Sequence, residues 1–188
     1  MRVVSEPRPL IVCHFITAIL PKYANIQQLE LLATKHGMRL SPQVNLSISQ
    51  QIKPDELPFL TTAGHCDCGT SLGSDHQQSF DIARESEKLR KKGWSESKIL
   101  RSLGQKERGL LKSQEKLQAD AQRWQDFIVS AIRFRYTPYI GLLLHLYHGS
   151  LDEQFAITGS NITTLASMSH TSLTGMHENV IQEFRTHV

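Results

Sequence analysis

Cys13-His14 and His65-Cys66-Asp67-Cys68-Gly69 hold every thiol of the chain, and each motif carries an imidazole. A thiolate is both a soft metal ligand and a nucleophile, so this concentration points to a metal or thiol site more than to core filling. Cys66 and Cys68, one residue apart, can place their sulfurs on the same side of an extended loop. Zinc would need two further donors. Cys13 is the first choice, and His65, His14 and His145 compete for the fourth place. The candidate ligand set is therefore Cys13, His65, Cys66 and Cys68, with zinc as the candidate cofactor. A fourth position left to water would make such a site catalytic rather than structural.

The same atoms allow other chemistry. Cys66 and Cys68 could close a small strained disulfide, with His65 lowering a thiol pKa and Asp67 opposing that shift. Cys13 could act as a catalytic nucleophile beside a histidine, with backbone amides near Gly69 stabilising an oxyanion. In the plainest reading, three reduced cysteines are small buried apolar groups. No phosphate-cradling glycine fingerprint, serine nucleophile elbow or His-Glu-x-x-His helix is present.

The elements that must position these residues are partly legible. The run from Leu10 to Leu20, ended by Pro21, reads as a buried strand. Alternation along it separates Cys13, Phe15 and Thr17 from Val12, His14 and Ile16, so Cys13 and His14 cannot both face one site. Asn25 caps a predicted amphipathic helix, with Gln28 at the capping-box position and Gly37 as its terminator. Val44 to Ser49 alternates like a strand, and Phe59 to Thr62 reads as another leading into the thiol loop. A helical section is expected over 77–137, with a first helix ending near Gly93, a short helix from Ser95 stopped by Gly104, and a third from Lys106 to Pro138. Leu110, Leu117, Ala121, Trp124, Ile128 and Ala131 form a packing seam along that third helix. Tyr139 to Tyr147 reads as a central strand containing His145 as a hydrogen-bonded core residue, and Gln154 to Thr158 as its returning partner. Thr174 to Phe184 is compatible with a helix or an extended segment.

These elements define an α+β class: a small, mostly antiparallel sheet with a long helical hairpin-like insertion. Residues 1–9 read as a flexible leader and 10–188 as a single domain. With 188 residues and 39% hydrophobic content the chain can bury a substantial core. Its three cysteines cannot all pair, and no secretory signal pattern precedes them, so a reducing cytoplasm is expected. The longest apolar runs are too short to span a bilayer, so no membrane partner is expected. Asp81 to Tyr136 carries 14 Lys/Arg against 8 Asp/Glu. This basic stretch is a candidate surface for nucleic acid or an acidic protein, and the main alternative function is a helical interaction module of that kind.

Cys13-His14-Phe15-Ile16-Thr17-Ala18 and Gly64-His65-Cys66-Asp67-Cys68-Gly69-Thr70 together resemble an uncharacterised bacterial family whose members often begin Met-Cys-His-Phe-Ile-Thr. The likeness covers mainly the first third of the chain and implies no activity. It carries the expectation that translation starts at Val12, read as an initiator methionine, whose removal would leave the α-amine of Cys13 beside its thiol.

Overall fold

A computed structural model of the protein describes residues 12–73 and 81–187. The expected leader, 1–9, lies outside them. Eleven elements follow in the order β1 (Cys13–Pro21), α1 (Ile26–Lys35), β2 (Ser41–Pro42), α2 (Leu46–Ser49), β3 (Glu56–Leu60), α3 (Ile82–Lys91), α4 (Glu96–Arg133), β4 (Tyr139–Tyr147), β5 (Gly159–Thr164), α5 (His170–Thr174) and β6 (Val180–Arg185). The strands make one six-stranded sheet in the order β2-β3-β1-β4-β6-β5. The α+β class holds, but the sheet is mixed rather than mostly antiparallel. β5 lies parallel to β6, because the chain crosses over through α5 before pairing again.

β1 and β4 are the longest strands and sit at the centre, with Cys13 opposite Tyr147 and Ile19 opposite Gly141. Their alternation divides the core. Ile16, Ala18 and Leu20, with Ile140, Leu142 and Leu144, face α1, α4 and α5, where Leu29, Trp124, Phe127, Ile128 and Leu173 complete the main cluster. Ile19 and Leu143 point the other way and meet Ile48 of α2, with Ile52, Phe155 and Ile157 around them. Gly141 is required by close approach, since a Cβ there would come within 3.2 Å of Ile19 Cβ and 3.1 Å of Ile181 Cγ2.

Helix punctuation accounts for most boundaries. Asn25 Oδ1 accepts from Gln28 N, and Gly37, at φ +67°, lies just past the end of α1. Val44 to Ser49 is not a strand: Asn45 Oδ1 accepts from Ile48 N and starts the single turn α2, which a short alternating run fits equally well. The expected break at Gly104 is also absent. α4 runs unbroken for 38 residues, about 57 Å at 1.5 Å per residue. An isolated glycine costs only about 1 kcal/mol among strong helix formers. α3 folds against the start of α4 around Leu89, Ile99 and Leu103, a small cluster separate from the main core. The predicted seam divides: Ala121, Trp124, Ile128 and Ala131 are buried, whereas Leu110 and Leu117 are only half-buried. Gln154 to Thr158 is not a strand, and the second strand of this region begins at Gly159.

Candidate metal centre

β3 pairs with β1 only from Thr17 to Pro21, which would leave the opening residues of β1 without a neighbour on that edge. The loop after β3 takes its place. Thr61 N donates to Ile16 O at 3.1 Å, and Asp67 N donates to His14 O at 2.8 Å. The Asp67 carboxylate then accepts from Ile16 N at 2.9 Å, doing with a side chain what a strand carbonyl would do. Thr62 Oγ1 donates to the same carboxylate oxygen. His14 N completes the edge by donating to Cys68 Sγ at 3.2 Å.

This docking positions the sulfurs. With Asp67 committed to β1, its two neighbours are held over the beginning of the strand. The ligand atoms of Cys13, Cys66 and Cys68 all lie within 4.8 Å of one another. Cys13 is buried, Cys66 half-buried and Cys68 exposed, and all three are free thiols. The loop is locked further down by Thr70, whose hydroxyl donates to Asp67 O at 2.7 Å, and by Ser71, whose N and Oγ both donate to Asp120 of α4 at 2.8 and 2.7 Å. Gly69 takes the left-handed conformation at φ +81°. Gly73 is compelled by space: a Cβ there would sit 2.2 Å from the Asp67 carbonyl oxygen.

The electrostatics distinguish the chemical options. Burial, and then the adjacent Cys66, push the Cys13 thiol up to about 11. At neutral pH it is protonated, and the groups acting on it are two other thiols rather than an imidazole. That is a poor setting for a nucleophile and a reasonable one for a cation, which stabilises all three thiolates at once. Asp67 is likewise raised above the ordinary carboxylate range, burial outweighing the hydrogen bonds from Thr62 and Ile16.

The geometry fits an ion. Tetrahedral zinc–thiolate bonds of about 2.3 Å place sulfurs about 3.8 Å apart, so a group already within 4.8 Å needs only a small contraction. The histidines fare differently. His65 is exposed on the loop, and its ring does not share that radius with the sulfurs. His14 turns to the other side of β1 and meets Glu178 Oε1 through Nε2 at 2.7 Å, as strand alternation requires. His145 is a buried core residue: Nδ1 lies 2.6 Å from Asn179 Oδ1, Nε2 lies 3.0 Å from Glu153 Oε1, and its ring stacks on Phe155. Asp120, which holds the loop from α4, has no signal in the sequence, and Asp67, expected there to act on a thiol pKa, instead anchors the loop to β1. Asp67 sits between the two cysteines, and a buried carboxylate between ligands signals an anchor.

Among the described residues no helix is long and apolar enough to cross a membrane. Compared with known protein families, with curated proteins and with solved structures, the chain matches none of them.

Proposed function

We propose that this chain is a metal-binding protein whose Cys13, Cys66 and Cys68 thiolates hold a thiophilic ion, with zinc as the ion best suited to the set. The supporting observation is that β1 and the Thr61–Gly73 loop bring three sulfurs within 4.8 Å of one another across more than fifty residues of chain. Three protein donors leave one position of a tetrahedral ion for His65, for water or for an exchangeable ligand. A cation in this place would also bind β1 to the loop, so metal binding and local order would rise together. A cytoplasmic setting, where thiols stay reduced, agrees with this reading.

The basic hairpin supports the interaction-module reading less well. Lys106 pairs with Glu85, Arg90 with Glu96 and Lys91 with Glu87, so three of the cations of α3 and the start of α4 are already matched within the hairpin.

Elemental analysis of protein purified without an affinity tag tests the proposal. Near one equivalent of metal is expected in the native chain, and a large loss in the Cys66→Ser/Cys68→Ser variant. His65→Ala separates the fourth-ligand choices: retained stoichiometry assigns that position to a non-protein ligand. Folded native protein that takes up no zinc even when supplied with it under reducing conditions would end the proposal.

A further inference from the structure

At the far end of the central strands from the thiols lies an open cleft of about 1090 Å³. Its walls include Arg133, Arg135 and Arg185 together with Tyr23, Tyr136 and Tyr139, and among the described residues no Asp or Glu lines it. The exposed Arg133 and Arg135 stand beside Tyr23 and Tyr136 around this opening, whereas Arg185 and Tyr139 are engaged by Glu183 and Glu56. Arginine offers planar, bidentate recognition of phosphate, while aromatic faces accept a stacked base. Tyr23 is 70% exposed, and neighbouring Phe134, whose ring centroid lies 5.8 Å from that of Tyr136, is 64% exposed.

The backbone at the mouth of the cleft is also unusual. Arg135 N donates to Ile132 O and Tyr136 N to Ala131 O, both at 3.0 Å, which is the double hydrogen bond that closes a helix around a left-handed residue. Glycine is the usual occupant of that place. Here Arg135 holds it at φ +59°, a strained conformation for a residue with a Cβ. An arginine thus stands at the mouth of the cleft at a local conformational penalty. Arg185 is held by Glu183, whose Oε1 lies 3.0 Å from its buried Nε, and so leaves the phosphate to the two exposed arginines. Tyr139 is fixed in place, its hydroxyl donating to Glu56 Oε1 at 2.8 Å and Lys53 Nζ lying 5.0 Å from its ring centroid.

We infer that this cleft binds a nucleotide, the phosphate held by Arg133 and Arg135 and the base stacked against Tyr23 or Tyr136. The source can be a free nucleotide or one unit of a single-stranded nucleic acid. An acidic peptide would satisfy the guanidiniums but would leave the exposed rings without a role.

Calorimetric titration of the whole chain with AMP, GMP, CMP and UMP, and with a mixed-sequence RNA hexamer, tests this. At least one mononucleotide binds if the source is free nucleotide, and only the hexamer binds if the source is a strand. Adenosine and inorganic phosphate, each carrying half of the chemistry, bind about tenfold or more weaker than the matching nucleotide. Arg133→Ala/Arg135→Ala loses about tenfold or more in affinity. Arg135→Gly weakens binding while leaving the thermal midpoint unchanged or raised by a few degrees, a combination a merely structural residue would not give. The Cys66→Ser/Cys68→Ser variant binds as the native chain does, which separates this site from the metal reading. Absence of binding by all five probes would overturn the inference. So would unchanged affinity in the double arginine variant, or a polyglutamate peptide that binds as tightly as the best nucleotide.

Discussion

Cys13 and Tyr23 are ten residues apart on one length of chain, yet their surroundings are assembled in opposite ways. At the thiol end the neighbours come from a loop more than fifty residues away, held by hydrogen bonds that replace a missing strand. At the arginine end most of the wall is one contiguous turn, 132–139, where α4 stops and β4 begins, joined by the end of β6. The first kind of site depends on tertiary docking and can be loosened without unfolding the sheet. The second is attached to helix termination and should persist as long as α4 stays packed.

The sharpest way to break both ends together is to hollow the layer between them. Leu142→Ala, on the fully buried middle of β4, should cost about 2–5 kcal/mol in urea unfolding. Amide exchange should quicken at both ends. Loss of protection at one end only would show that the two are not supported by a common core. Asp67→Ala should be smaller and one-sided, costing about 2–3 kcal/mol because Ile16 N and Thr62 Oγ1 lose a buried acceptor. In metal-free, reduced protein, exchange at Ile16 should rise while that of Tyr136 stays as it was. Equal acceleration at both amides would contradict the division drawn above.

The smallest effect is a pH dependence. Burial works to raise the Glu153 carboxyl, but hydrogen bonds from the His148 amide and from His145 hold it below its ordinary value of 4.5. A depressed carboxyl contributes stability above that value and loses the contribution as pH falls through the folded-state pKa. Native protein should thus lose more of its urea midpoint than Glu153→Gln does below about pH 4.5. Parallel curves for the two proteins down to pH 3 would remove Glu153 from this account.

Local chemistry was readable where it acts locally. Asn25 and Gly37 announce α1, and the apolar runs of β1 and β4 announce central strands. Strand parity alone separates Cys13 from His14. Val44 to Ser49 misleads because one helical turn and a short alternating strand share the same pattern, and Asn45 decides between them. Gly104 misleads because helix continuation is a sum over many residues. The parallel pairing of β5 with β6 has no sequence signature at this length. The cysteine cluster was visible because the chain spends all its thiols in two motifs, but the placement of His65 relative to the sulfurs depends on how the loop folds onto β1. The arginine cleft was invisible because Tyr23, Arg133 and Arg185 are scattered along the chain and share no period.

The Asp67 carboxylate has one more consequence. An uncovered strand margin is a template on which other molecules can add, and long bare margins are where soluble proteins begin to coalesce. By covering the first residues of β1, the loop acts as a guard rail against such stacking. Whatever detaches it would bare those amides and convert a local chemical injury into a tendency to aggregate.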